Sequence, residues 1–90
     1  MNSTLISKVE KARRYAEEPD RARFNNFEVT FNGGHDEHRV TMRGTEFSCT
    51  CHFYEVHETC AHIMAMQRIL QSMLSEEQRT VGAPISLLSA

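Results

Sequence analysis

Cys49-Thr50-Cys51, eight intervening residues, then Cys60-Ala61-His62 place three cysteines and one histidine within fourteen positions. Three thiolates and one imidazole complete a closed tetrahedral shell for Zn²⁺ and leave no coordination position for a substrate water. The two pairs sit in different local settings. Cys49 and Cys51 end an extended stretch rich in aromatic and β-branched residues, whereas Cys60 and His62 open an apolar run with helical spacing. A single zinc ion per chain would therefore tie a strand end to a helix start. His52 and His57 lie inside the spacer and are alternative nitrogen donors to His62, with His57 the better placed.

Working outward, Phe27, Val29 and Phe31 alternate with Glu28 and Thr30, the period-two signature of a half-buried strand. Asn32-Gly33-Gly34 supplies turn residues, and His38 to Arg43 returns with Val40 and Met42 on one face and Arg39, Thr41 and Arg43 on the other. Glu46 to Cys51 forms a third extended piece. Because Phe47, Cys49 and Cys51 fall on one face of it, both sulfurs meet one ion only if the chain bends near Thr50. The spacer 52–59 reads as a loop, with Thr59 as a helix cap or, alternatively, with helix-start N–H groups aimed at the Cys60 sulfur. From Cys60 to Leu74, Ile63, Met66, Leu70 and Met73 make an apolar stripe broadened by Ala65 and Ile69, while Gln67, Arg68, Gln71 and Ser72 face outward. His35 and His38, at the hairpin turn, are expected in solvent.

C-x-C, a spacer and C-x-H in this order resembles the SWIM zinc finger, over residues 27–74. The context agrees: a hairpin from Phe27 to Thr50 precedes the first pair, and an Ala/Ile/Met-rich helix from Ala61 follows the second. The resemblance implies that Cys49, Cys51, Cys60 and His62 are the ligands, with C-x-C on the hairpin and C-x-H at the helix N-terminus. SWIM fingers occur in chromatin ATPases, transposases, recombination accessory factors and kinase-associated proteins, where they are taken to bind DNA or protein. The C-x-C, eight residues, C run also resembles the start of the CDGSH iron–sulfur pattern, an electron-transfer alternative. That pattern needs a Cys-Asp-Gly run and a histidine three residues further on. Here Ala61 and His62 follow Cys60, and Met64 occupies the expected ligand position.

The remaining expectations concern fold class and partners. Residues 3–18 form an amphipathic helix with Leu5, Ile6, Val9, Ala12 and Ala16 at helical spacing, ended by Pro19-Asp20. Its stripe is expected to pack on the hairpin, with a partner-docking or self-associating face as the alternative. The fold class is thus a small α+β domain in three parts: an N-terminal helix (1–23), a zinc-stapled ββα unit (24–75) and a tail (76–90). Ninety residues make a small core, so a metal staple is physically welcome. An odd cysteine count argues against a disulfide framework, and no apolar run suggests a leader or a membrane span. The thiols read as reduced, in a cytoplasmic or nuclear compartment. Net charge is −2, which disfavours a dedicated DNA binder and gives a protein partner the edge. If DNA is bound, Arg39, Arg43 and Arg68 are the expected contacts. Leu5, Ile6 and Val9, the tail residues Ile85, Leu87 and Leu88, and Met64 and Met73 are the expected protein anchors. A three-thiolate shell makes zinc a poor Lewis acid, so neither enzyme activity nor a small-molecule substrate is expected.

Overall fold

The computed structural model describes residues 3–82; Ile85, Leu87 and Leu88 lie outside them. Helix α1 (Ser3–Ala16) leads through a 3₁₀ turn at Pro19–Arg21 into strands β1 (Asn26–Asn32), β2 (Glu37–Arg43) and β3 (Glu46–Cys49). Helices α2 (His52–His57), α3 (Ala61–Ile69) and α4 (Glu76–Thr80) follow, with a 3₁₀ turn at Gln71–Met73 between the last two. The strands form one antiparallel sheet in the order β1-β2-β3. This is the α+β architecture read from the sequence.

The register follows from the apolar alternation. Val29 pairs with Val40 and Phe27 with Met42, and Val40 and Met42 pair in turn with Cys49 and Phe47. One sheet face is therefore apolar, and α3 covers it. Val40 and Met42 are fully buried, and Ile63 and Met66 from α3 join Val40 and the three cysteines in the core, flanked by Phe27, Val29, Phe31, Phe47, Tyr54 and Leu70. Burying a side chain such as Ile63 contributes about 2 kcal/mol. The three cysteines thus sit in the main core rather than beside it.

Four expectations are corrected. First, α1 buries no residue: Leu5, Ile6 and Val9 remain about half exposed. The sheet has a single apolar face, and α3 already occupies it. The radius of gyration, 16.6 Å, exceeds the roughly 12 Å of a compact chain of this length, in keeping with a helix that stands off. Second, the spacer is not a loop. α2 forms there and stops at Glu58, which takes a left-handed conformation (φ 61°) to turn the chain into α3. Third, the C-terminal helix breaks at Leu70, so Ile69 is exposed instead of broadening the core stripe. Fourth, Gln67 does not face outward.

Gln67 is 4% exposed and Gln78 6% exposed, because together they form a polar clasp. The Gln67 amide donates to the Gln78 and Val81 carbonyls (3.1 and 2.8 Å). The Gln78 amide donates to the Phe24 and Gly44 carbonyls (3.2 and 2.9 Å), and its oxygen accepts from the Ser75 N–H (2.8 Å). Ser75 completes a capping box by accepting from the Gln78 N–H (3.1 Å). A five-residue helix of little intrinsic stability thereby locks α3 to the open end of the β1–β2 pair, where Phe24 enters and Gly44 leaves.

Candidate metal centre

β3 ends at Cys49 because Thr50 diverts the chain. The Thr50 N–H donates to the Arg39 carbonyl (3.2 Å), but the Arg39 N–H is taken by the Thr50 hydroxyl (3.0 Å) rather than by a strand carbonyl. That exchange ends the ladder and permits the bend that the spacing of Cys49 and Cys51 required. Cys51 then stands at the N-cap of α2 and Cys60 at the N-cap of α3. The Cys60 sulfur accepts the Ile63 N–H (3.5 Å), so the helix-start amide points at sulfur and not at Thr59. His62 follows in the first turn of α3.

These elements bring one ligand atom from each of Cys49, Cys51, Cys60 and His62 within 4.8 Å of one another. His62 Nδ1 lies 3.6 Å from the Cys49 sulfur and 3.7 Å from the Cys60 sulfur. Zinc–sulfur bonds near 2.3 Å and zinc–nitrogen bonds near 2.05 Å, at tetrahedral angles, give an S···N edge of about 3.6 Å. His62 Nδ1 thus stands at tetrahedral edge length from the Cys49 and Cys60 sulfurs, which makes it the donor nitrogen that faces the cluster. The four residues form a cysteine/histidine cluster suited to a metal.

Electrostatics points the same way. Burial pushes the Cys60 thiol up to about 12; the Ile63 N–H opposes this, and the neighbouring Cys51 and Cys49 reinforce it. Burial also raises the Cys51 thiol, but the backbone N–H groups of Tyr54 and Phe53, together with Cys60 and Cys49, outweigh it, so its pKa is lowered. Three crowded thiols cannot all ionise unaided, and a divalent cation removes that conflict. Burial, then the charge of nearby His38, lowers the His62 pKa, favouring the neutral imidazole that ligates metal.

The other histidines are placed differently. His52 is exposed beside Glu55 (3.6 Å), and exposed His57 stacks on Phe53 (ring centroids 4.1 Å apart); neither joins the cluster. His35 is exposed as expected. His38 is not: it is partly buried, its ring 4.6 Å from that of His62. Phe31 meets the same imidazole edge-on at 5.1 Å. Gly33 closes this cradle, since a Cβ there would stand 3.2 Å from His62 Nε2. The doubled glycine was legible as a turn, but no sequence signal said that Gly33 abuts His62.

Gly33→Ala is therefore expected to push His62 off its position and weaken metal binding by about tenfold or more, the scale of losses around ligating histidines. Competition with a chromophoric chelator measures it, and an affinity equal to that of the parent protein would refute the close-packing argument.

The three arginines do not form one surface. Arg39 and Arg43 stand on the sheet face opposite α3, and Arg39 approaches Glu28 (3.7 Å). Arg43 is cross-strand from Glu46, while exposed Arg68 belongs to α3 on the other side of the sheet. Met64 and Met73 are partly buried. No described helix is long and apolar enough to cross a membrane. No protein-family model matches the chain, and comparison with curated proteins and with solved structures likewise gives no match.

Proposed function

We propose that the protein is a zinc-stapled interaction module of the SWIM type, binding one zinc through Cys49, Cys51, Cys60 and His62. The observation that carries this reading is the ligand spacing, with His62 Nδ1 at the edge length of a zinc tetrahedron from the Cys49 and Cys60 sulfurs and Cys51 within 4.8 Å. The placement of C-x-C at a strand end and C-x-H at a helix start supports the SWIM assignment. A two-iron cluster divides its ligands between two metals and needs a wider ligand set than one lying within 4.8 Å. A full protein ligand set also leaves no open position for hydrolytic chemistry.

The module acts as an adaptor for another protein. Net charge of −2, the pairing of Arg39 with Glu28 and the separation of Arg68 from Arg39 and Arg43 weigh against a phosphate-binding surface. The exposed apolar stripe of α1 favours a protein partner.

Metal analysis and an absorption spectrum of protein purified without added metal test the staple. Colourless protein with one zinc per chain is expected; brown protein with visible charge-transfer bands would establish the iron–sulfur alternative. Duplex binding at low salt that is lost on replacing both Arg39 and Arg43 would replace the protein adaptor with a DNA binder.

A further inference from the structure

The two edges of the sheet are treated differently. In the β1–β2 ladder, Asn25–Gly44 and Gly33–Asp36 mark the hydrogen-bonded positions (3.0 and 2.9 Å). In this register, odd-numbered β1 residues bond to β2, and the backbone groups of Asn26, Glu28, Thr30 and Asn32 point away from the sheet. Among the described residues none of these outward backbone groups has a hydrogen-bond partner. At the opposite edge, Tyr54 covers β3 by donating its hydroxyl to the Phe47 carbonyl (3.0 Å). Open edges are normally blunted by lysine, proline or a bulge. β1 has no lysine or proline, and its register runs unbroken over seven residues.

The sequence of β1, Asn-Phe-Glu-Val-Thr-Phe-Asn, is nearly palindromic about Val29. We propose that β1 pairs antiparallel with β1 of a second copy about a two-fold axis at Val29, joining the two three-stranded sheets into one. In that register the outward groups of Glu28 and Thr30 meet those of Thr30 and Glu28 of the second copy. Asn26 and Asn32 pair in the same way, so each outward donor finds an acceptor. Val29 faces its own copy in the closer, non-hydrogen-bonded position, and Phe27 faces Phe31 of the second copy. Phe27, Val29 and Phe31 are only partly buried in the single chain, and this pairing extends their apolar face across the axis. No like charges stand opposite each other: Glu28, the one charged residue of β1, meets threonine. A second copy therefore fits this edge in both hydrogen bonding and charge, closing an isologous dimer. The proposal is independent of the metal reading and needs only the folded sheet.

Thr30 provides a test that spares the single chain, since it is exposed and lies cross-strand from Arg39 of its own sheet. Thr30→Glu places two carboxylates opposite each other twice across the axis, whereas Thr30→Lys places an ammonium opposite Glu28 twice. Sedimentation equilibrium on the full-length zinc-loaded chain should show a dimer. Its dissociation constant should rise roughly tenfold or more in Thr30→Glu and fall in Thr30→Lys. Zinc content and circular dichroism of each variant establish that the fold and metal are intact, which separates failure of this proposal from failure of the staple. A parent protein that stays monomeric at sub-millimolar concentration overturns the proposal. So does a dimer whose affinity moves in the same direction, or not at all, in the two variants.

Discussion

Removing the metal, or replacing Cys60 with serine, is expected to abolish the cooperative melting transition of the β-sheet and α3. Cys60 is 1% exposed and belongs to the same buried cluster as Val40, Ile63 and Met66, so an ion held there would be a core element and not an appendage. Structural zinc contributes on the order of 10 kcal/mol or more in small fingers, comparable to the whole 5–15 kcal/mol stability of an ordinary domain. Without the ion, the chain keeps three crowded thiols, with Cys60 pushed up to about 12 and protonated at neutral pH. Zinc must displace that proton, so apparent affinity is expected to rise with pH and to fall in acid, where protons compete for every ligand. Circular dichroism melts with and without chelator, at several pH values, measure both effects. His62→Cys should keep a four-ligand shell and largely retain the fold. An unchanged melting curve after complete chelation would remove zinc from any role in stability.

Gln78→Ala should be as damaging as truncating a core aliphatic side chain, although Gln78 is polar. It strands the carbonyls of Phe24 and Gly44 and the N–H of Ser75, all partners of one side chain that is 6% exposed. Leaving a buried polar group unpaired costs about 1–3 kcal/mol, so a loss of about 2–4 kcal/mol is expected after partial rescue by water. For a chain of this size that corresponds to a fall of roughly 10–20 °C in Tm. Gln78→Glu should be no better, because it keeps the acceptor for Ser75 but replaces the donor amide with a charge facing two carbonyl oxygens. Zinc content should stay at one per chain in both, since no atom of Gln78 belongs to the ligand set. A Gln78→Ala melting point within a degree or two of the parent's would show that the clasp is replaceable by solvent.

Both expectations rest on residues that differ sharply in how visible they were. Cys49, Cys51, Cys60 and His62 were legible because metal coordination imposes residue type and local spacing at once, and few other arrangements demand three thiols and an imidazole so close together. The strands were legible because Phe27–Val29–Phe31 and Val40–Met42 alternate against polar neighbours, and a sheet covered on one face requires that period. The bend at Thr50 followed from the same geometry, although not the hydroxyl that brings it about. Gln67 and Gln78 were invisible. Glutamine is ordinarily a surface residue, and nothing local says that its amide will meet carbonyls from Phe24 and Gly44, more than thirty positions away in sequence. The burial of His38 was misjudged, and the contact of the turn residue Gly33 was missed, for a related reason: a solvent histidine and a turn are complete local explanations, and only the folded hairpin brings them against His62.

By itself, then, the sequence determined the fold class, the strand register's apolar face and the identity of the candidate ligands, because each is a matter of short-range periodicity or of spacing along the chain. Tertiary structure alone decided that α1 stands away from the sheet, that residues 52–57 coil into a helix whose Tyr54 closes one sheet edge, and that β1 leaves the other edge open. These outcomes turn on competition for surface. The sheet has one apolar face, α3 covers it with Ile63 and Met66, and whatever is left over remains available to a partner. Which segment wins such a competition is a property of the assembled chain, and no local pattern of residues encodes it.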